Sequence, residues 1–383
     1  MRQISHFVGL SGIGGVQRNF VEYINHQVES ELEGEFLHKV YTLGKVDQGY
    51  NILAEVYDIR KVKFFLSLVL DMLSRKKIVH FYNNLTSFKM AVLLLLLPVH
   101  NIILHERGSA WNLPSYYGIL LRFIVWKSSL VLANSNATKI MLEKKFNIPS
   151  KKIKVLHNGI NKLTKYIKNK KKHNAHTYFH VGFIGRLDTP KGVHVLIDAM
   201  NYLVNYNIKL TIAGDGALED ILKDRAKDLE NIFFIGRINN PYVFFSSIDL
   251  LAVPSIREPL GNVCLESGLC KVPVLAANID GIPEIVENKI TGELIDATDE
   301  ILISFPENAI PLPEFVVHPI TKQLCTPKQI NPHLLAKKIL ELSSNPKQLE
   351  YYADGLYKRV TGYFNMNRYK SELHTIYSDL YNL

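Results

Sequence analysis

The chain has 383 residues, of which 47% are hydrophobic and 21% charged, and its formal net charge at pH 7 is +9. This composition excludes a disordered chain, and at about 100–200 residues per domain the length predicts two domains. The excess of basic residues favours an anionic partner.

The cysteines and the most apolar segment bear on location. Cys264, Cys270 and Cys325 lack metal-ligand spacing, which predicts reduced thiols and a cytoplasmic protein. Residues 1–8 read as a first strand rather than a signal peptide. The apolar run at 90–98 is much shorter than the roughly 20 residues that span a bilayer, so we expect a buried helix there.

Strand-like and helix-like segments alternate along the whole chain. This alternation predicts an α/β protein with two doubly wound, Rossmann-like domains that face a central cleft. The predicted strands lie near residues 3–8, 36–42, 78–82, 101–105, 129–133 and 153–156 in the first half, and near 178–184, 208–213, 231–235, 249–253 and 272–276 in the second.

Two basic clusters carry much of the net charge. The first flanks the apolar segment 64–70 and predicts a basic amphipathic helix, which either lies on anionic lipid headgroups or packs on the core with solvated ends. The second, at 162–172, is typical of a charged linker between domains. Neither cluster lies in a recognisable nucleic-acid-binding motif, so we expect no nucleic-acid partner.

The second half contains two strand-to-helix turns with charged side chains. The turn at 181–192 supplies Arg186 and Lys191, where a phosphate would dock at a helix N-terminus. Glu258 and Glu266 lie eight residues apart on either side of the next such turn, and the helix predicted over 261–270 suits a diphosphate. Taken alone, Glu266 is equally well an exposed helix residue, and Glu258 an acid that complements the helix dipole.

These motifs occur in one order with several others. The turn at 181–192, the paired glutamates and the segment 276–286 look like the retaining glycosyltransferases of family four, which have the GT-B fold. Further matches cover almost the whole chain and comprise the glycine loop Gly12–Arg18, the strand ends at His80 and His105, and the segments 131–138 and 155–160. The resemblance implies an acceptor-binding domain at 1–165, a nucleotide-sugar-binding domain at 175–365 and a last helix, about 366–383, that packs back on the first domain.

The resemblance also implies roles for individual residues. Arg186 and Lys191 would neutralise the donor diphosphate, Glu258 would hold hydroxyls of the donor sugar, and His105 would lie near that sugar. Glu106, Arg107 and Gly108 would border the acceptor pocket. The implied nucleotide-binding residues are Gly14, Gly15, Gly236, Arg237, Leu260, Gly261, Asn262 and Glu266, of which Glu266 would bind the ribose.

The implied activity is transfer of a hexose from a nucleotide-diphosphate sugar to a glycan or lipid-linked glycan. A UDP-sugar is favoured and a GDP-sugar is possible, and the product would belong to a bacterial cell-surface polysaccharide or lipopolysaccharide. No Asp-x-Asp motif occupies a metal-binding place, so we expect neither a catalytic metal nor a cofactor. A noncatalytic nucleotide-sugar or lipid-glycan binding protein on the same scaffold is the alternative. A hydride-transferring Rossmann enzyme is disfavoured because the glycine loop lacks its third glycine.

Residues 300–331 depart from the family pattern. They contain Pro306, Pro311, Pro313, Pro319 and Pro327, a density that predicts no regular structure. The segment is either a surface insertion or a functional loop.

Overall fold

The computed structural model describes residues 2–12, 14–29, 35–82, 87–161, 178–301, 303 and 305–382. The chain divides into two compact units, Met1–Asn161 with Phe364–Leu383, and Lys162–Tyr363. The boundaries drawn from the sequence, 1–165 and 175–365, lie near these. The linker predicted at 162–172 falls outside the described residues.

The first unit is built on a seven-stranded sheet in which every neighbouring pair is parallel, in the order β3-β2-β1-β4-β5-β6-β7. Its strands are β1 (Arg2–Phe7), β2 (Phe36–Thr42), β3 (Val56–Asp58), β4 (Lys77–Tyr82), β5 (Ile102–Glu106), β6 (Leu130–Ala133) and β7 (Ile153–Val155). Its helices are α1 (Gly15–Glu29), α2 (Val62–Leu73), α3 (Phe88–Leu96), α4 (Gly118–Lys127), α5 (Asn136–Phe146) and, at the end of the chain, α13 (Met366–Tyr381).

Helix α13 is part of the core of the first unit. Its buried side chains recur at helical spacing, so they form one apolar face that packs on β1, β4, β5 and β6. The Tyr377 hydroxyl lies 2.7 Å from Nδ1 of His80 in β4. The residues of this shared cluster include Met366, Tyr369, Leu373, Ile376 and Tyr377 from the helix and Ile4, Ile78, Ile103 and Leu132 from the strands.

The second unit contains a six-stranded parallel sheet in the order β10-β9-β8-β11-β12-β13. Its strands are β8 (Phe179–Ile184), β9 (Ile208–Ala213), β10 (Ile232–Gly236), β11 (Leu250–Val253), β12 (Val274–Ala277) and β13 (Glu293–Ile295). Its helices are α6 (Val193–Asn201), α7 (Glu219–Arg225), α8 (Pro241–Ser247), α9 (Asn262–Leu269), α10 (Ile282–Ile285), α11 (Pro332–Ser343) and α12 (Pro346–Gly362). Continuous apolar runs form the central strands β11 and β12, which are fully buried because helices cover both faces of such sheets.

The prediction of an α/β protein with doubly wound parallel sheets is confirmed, and two of its details are wrong. Strands β3 and β13, each of three residues, were not predicted. Helix α3 exists, but it is not a buried helix throughout, since Leu95 and Leu96 are 45% and 76% exposed.

The prediction that residues 300–331 lack regular structure is also wrong. Strands β15 (Val316–Val317) and β16 (Leu324–Cys325) form an antiparallel hairpin, and β14 (Ala297–Asp299) pairs with β17 (Gln329–Ile330). The five prolines lie between these strands rather than within them. Proline therefore excludes a helix here but leaves room for two-residue strands.

Candidate functional site

The order of the strands in the second sheet reverses between β8 and β11, which lie side by side at its centre. In sheets of this kind ligands bind in the crevice beyond the carboxyl ends of the strands at such a switch point. Arg186 and Lys191 follow β8, and Glu258 follows β11. The structure therefore brings the charged residues of the two predicted turns to the same edge of the sheet.

Lys191 and Glu258 form an ion pair at this edge. Lys191 Nζ lies 2.5 Å from Glu258 Oε2, and the Ser255 hydroxyl lies 3.5 Å from the same oxygen. The side chains of the pair are 28% and 10% exposed. Water screens the pair only in part, so its electrostatic interaction is stronger than that of an exposed surface pair.

The backbone around Lys191 is held in a tight turn. The residues Thr189–Lys191 form one 3₁₀ turn, capped by the Asp188 carboxylate, which accepts a hydrogen bond from the Thr189 N–H at 3.0 Å. Gly192 follows with φ +64°, and a Cβ there would lie 2.1 Å from the Pro254 carbonyl oxygen. Glycine is thus required for the two turns to lie against each other.

Helix α9 begins directly after the Glu258 loop. Gly261 caps it with φ +99°, and Asn262 is its first residue. Because α9 follows β11, its N-terminus lies at the carboxyl edge of the sheet, where the helix dipole favours an anion. Glu266 is half-buried in the helix, roughly 6 Å beyond Asn262 at 1.5 Å per residue. Leu260 is buried.

The remaining candidates of the second unit lie along the same edge. The Arg186 side chain is exposed. Gly236 ends β10 with φ +66°, its carbonyl accepts the Gly214 N–H at 2.8 Å, and Arg237 beside it is exposed.

Sequence reasoning missed a pair of glycines after β9. Gly214 and Gly216 have φ of +139° and +158°. A Cβ on them would lie 1.8 Å from the Gly185 carbonyl oxygen and 2.3 Å from that of Leu187. Only glycine lets this loop support the Arg186 turn so closely. The signal was present as a Gly-x-Gly at the end of a predicted strand.

Sequence reasoning also missed Asp280, which is 3% exposed and has φ +46°. One carboxylate oxygen accepts the Glu258 N–H at 3.0 Å and the other accepts the Val317 N–H at 2.7 Å. Burial raises the pKa of this carboxyl to about 7, although the hydrogen bonds from the two N–H donors lower it in part. Gly281 completes the contact, since its N–H donates to the Glu258 carbonyl at 3.1 Å.

The predicted glycines of the first unit lie at the start of α1. Gly15 is the first residue of the helix, and the Gly14 N–H donates to the Tyr50 hydroxyl at 3.0 Å. A Cβ on Gly14 would meet only the end of the Gln17 side chain within 4 Å. Packing within the described residues therefore does not require glycine at 14.

His105 lies in β5 and is 1% exposed. Its ring stacks on His80 with centroids 5.3 Å apart and packs against Tyr82 at 5.4 Å. Burial first, and then the charge of Arg107, lowers the pKa of His105, so the imidazole is neutral at pH 7. Neither ring nitrogen has a hydrogen-bond partner among the described residues. The contact of His105 with a donor sugar stays a prediction.

The residues after His105 make structural contacts. The Glu106 carboxylate is buried and accepts the N–H groups of Gly108 and Ala110 at 2.7 and 2.9 Å, so it caps the turn that follows. The buried Arg107 guanidinium donates to Asn19 Oδ1 at 2.7 Å and to Asn158 Oδ1 at 2.6 Å. A contribution of these residues to an acceptor pocket stays a prediction.

A metal-binding cluster is not found in the part of the chain that the structure describes, where no three His, Cys, Asp or Glu side chains are grouped to hold an ion. The expectation of metal-independent chemistry stays a prediction. Among the same residues, none of the helices has the length and apolar character needed to cross a membrane.

Two family models match the chain. Glycosyl transferases group 1 matches residues 144–304, and Glycosyltransferase Family 4 matches residues 52–162. The first of these ranges contains every candidate residue of the second unit.

Individual relatives match shorter stretches. The chain is 30% identical over 191 residues to the N-acetylgalactosamine-N,N'-diacetylbacillosaminyl-diphospho-undecaprenol 4-alpha-N-acetylgalactosaminyltransferase of Campylobacter jejuni, covering 47% of the chain and 50% of that protein. It is 29% identical over 127 residues to the capsular polysaccharide biosynthesis glycosyltransferase CapM of Staphylococcus aureus, covering 32% and 33%. The chain thus spans half the length of these curated relatives or less.

A solved structure matches over nearly its full length. The structure of Anabaena HepE in complex with UDP and glucose aligns with a TM-score of 0.71 at 18% identity, covering 98% of this chain and 99% of that one. At this identity the likeness concerns the fold alone, and it confirms the predicted GT-B fold.

Proposed function

Because the chain belongs to the glycosyltransferases of group 1 and family four, we propose that it transfers a hexose from a nucleotide-diphosphate sugar to a glycan or lipid-linked glycan. We further propose that transfer retains the anomeric configuration and needs no metal ion. The observation that carries the proposal is the Lys191–Glu258 ion pair at the switch point of the second sheet, directly before the N-terminus of α9.

The pair supplies both kinds of contact that a nucleotide sugar needs. An ammonium has three N–H donors, so Lys191 can bond Glu258 with one and phosphate oxygens with the others. A carboxylate accepts up to about four hydrogen bonds, so Glu258 retains capacity for sugar hydroxyls. The exposed Arg186 adds a second cation that can approach the diphosphate.

The proposed reaction is a front-face substitution. The bond from the anomeric carbon to the diphosphate oxygen breaks while the acceptor hydroxyl adds to the same face, and the departing diphosphate takes the acceptor's proton. Lys191, Arg186 and the α9 amides stabilise the charge that develops on the diphosphate, while Glu258 stabilises the positive charge on the sugar. Glu266 binds the ribose, and Gly236 with Arg237 flanks the base.

The relatives guide the proposed substrates. HepE was solved with UDP and glucose, and the Campylobacter relative is named for a diphospho-undecaprenol acceptor. We therefore propose a UDP-sugar donor, with a GDP-sugar second, and an acceptor of bacterial cell-surface polysaccharide or lipopolysaccharide assembly. We place the protein in the cytoplasm, at the inner face of the membrane.

Helix α2 supports the membrane part of this proposal. Its residues Val62, Leu66 and Leu70 are 72%, 53% and 66% exposed, whereas Leu68 and Met72 are buried. The helix therefore presents apolar side chains outward as well as inward. Basic residues flank them, which suits anionic headgroups. These residues are Lys61, Lys63, Lys76 and Lys77.

The test begins with a thermal-shift screen against UDP-, GDP- and ADP-sugars. A donor at 100 times its dissociation constant adds about 2.7 kcal/mol to the free energy of unfolding. The stabilising donor is then incubated with short lipid-diphosphate glycans, and NMR of the product reads the anomeric configuration. Donor binding without nucleoside diphosphate release would favour the noncatalytic alternative, and an inverted product would contradict retention.

A further inference from the structure

The insertion at 300–331 contacts both segments that carry the ion pair of the candidate donor site. We call the turn at 181–192 the Lys191 arm and the loop between β11 and α9 the Glu258 arm. In the first contact, Asp188 follows the Arg186 turn, is 6% exposed, and its Oδ1 accepts the Ile310 N–H at 2.7 Å. The same oxygen accepts the Thr189 N–H at 3.0 Å, within the turn that carries Lys191. One buried carboxylate thus joins the insertion to the Lys191 arm.

The second contact joins the insertion to the Glu258 arm. Val317 in β15 donates its N–H to Asp280 Oδ1 at 2.7 Å and accepts the Asp280 N–H at 3.1 Å. The other carboxylate oxygen of Asp280 accepts the Glu258 N–H at 3.0 Å. A single side chain therefore fixes the backbone of the hairpin and the backbone of Glu258 together.

A third contact joins the end of the insertion to α6. His194 is buried in the first turn of α6, three residues after Lys191, and its Nε2 lies 2.8 Å from Gln329 Oε1 at the end of the insertion. Val316 and Val317 are each 1% exposed. The insertion is therefore held to the rest of the second unit by buried contacts and does not lie free on the surface. Removing these contacts would leave buried polar groups without hydrogen-bond partners, which destabilises the folded state.

We propose that the 300–331 insertion is a positioning element of the donor site, which holds the Lys191 and Glu258 arms at ion-pair distance through Asp188 and Asp280. The inference rests on the proposed function, because it assigns the two arms to the donor. Asp188 and Asp280 are positioning residues, since their carboxylates bond backbone N–H groups of the arms and of the insertion.

Two variants test the contacts from opposite sides. Asp280→Asn keeps the size of the side chain but turns an NH₂ group toward one of the two N–H donors. Ile310→Pro removes the N–H that Asp188 accepts and changes no residue of the donor arms. Asp224→Asn, at an exposed position of α7, is the charge-matched control. Lys322→Gly, at the exposed hairpin tip with φ +55°, is the control within the insertion.

Hydrogen exchange and kinetics are measured on all four full-length variants. We expect Asp280→Asn to speed exchange of the Glu258 and Val317 amides, and Ile310→Pro to speed exchange across 188–192. Both should lower kcat by about 10-fold to 100-fold, because the reacting groups are misplaced, while KM for the donor changes by less than about threefold. The controls should match the parent in both measurements.

The two measurements separate failure of the inference from failure of the proposed function. A parent that turns over no nucleotide sugar contradicts the proposed function, while the exchange data still decide whether the insertion holds the arms. Unchanged exchange in both variants overturns the inference whatever the activity. Faster exchange with parental kcat also overturns it, because the contacts would then be structural only. Should Asp280→Asn fail to fold, Ile310→Pro alone decides.

Discussion

Replacing Glu258 by glutamine removes the negative charge of the Lys191–Glu258 pair and preserves the shape of the side chain. The Glu258 backbone contacts with Asp280 and Gly281 are unaffected, so the loop stays in place. The expected result is a large fall in turnover with little change in donor affinity. The reason is that the carboxylate interacts most strongly with the sugar when positive charge has built up at the anomeric carbon.

The magnitude follows from the burial of the pair. A hydrogen bond to a charged group contributes about 1.5–3 kcal/mol. In the free protein the Lys191 side chain is 28% exposed, so water replaces part of the lost contact and the free energy of unfolding should fall by about 1.5 kcal/mol. In the transition state the carboxylate acts on the positive charge that develops on the sugar, and the same range corresponds to a loss of about 10-fold to 150-fold in kcat.

Steady-state kinetics and calorimetry with the donor measure the two effects separately. A double-mutant cycle with Lys191→Met adds the coupling of the pair, which should be about 1 kcal/mol in the free energy of unfolding. Parental turnover in Glu258→Gln would refute the role of Glu258 in the reaction. Additive effects of the two substitutions would refute an energetically meaningful pair.

Three further outcomes are expected. Glu266→Gln should weaken the binding of the donor and of the free nucleoside diphosphate alike, by about 1.5–3 kcal/mol. Unchanged nucleotide affinity in calorimetry would show that Glu266 does not bind the ribose. Burial lowers the pKa of His80 and His105 below that of the unfolded chain, so the unfolded state takes up more protons as the pH falls below about 6.5. The contribution of each histidine to stability should fall from pH 7 to 5.5, by up to about 1.4 kcal/mol per pH unit, while the raised pKa of Asp280 acts in the opposite direction. NMR of the folded protein should therefore show both imidazoles neutral across this range, and titration of either ring near pH 6.5 would contradict their buried neutral state. Liposome binding at low salt should drop when glutamate replaces Lys61, Lys63 and Lys76 near the ends of α2, and binding equal to that of the parent would contradict a membrane role of this helix. Lys77 is left unchanged because it forms an ion pair with the buried Asp71.

The sequence allowed most of the fold to be predicted because the strands are short apolar runs between helical segments. The run Leu250–Val253 is an example, buried on both faces and bounded by a proline. The charged residues of the candidate site could also be predicted from the sequence, because Lys191 and Glu258 each follow a strand that was predicted. Parallel strands bring such positions to one edge, so the sequence order alone implied their proximity.

Asp280 and the insertion could not be predicted in the same way. The partners of the Asp280 carboxylate are 22 and 37 residues away in sequence, and no periodicity marks them. The two-residue strands at 316–317 and 324–325 are too short for an alternation of polar and apolar residues to appear. Long-range hydrogen bonds between the Asp280 carboxylate and backbone N–H groups decide this part of the structure, and they leave no local pattern.

A structure of the protein in complex with the nucleoside diphosphate that stabilises it tests the central claim most directly. We predict that the diphosphate lies at the N-terminus of α9, within hydrogen-bond distance of Lys191, and that a ribose hydroxyl bonds the Glu266 carboxylate. A nucleotide bound away from the carboxyl ends of β8 and β11, with the Lys191–Glu258 pair untouched, would contradict the account.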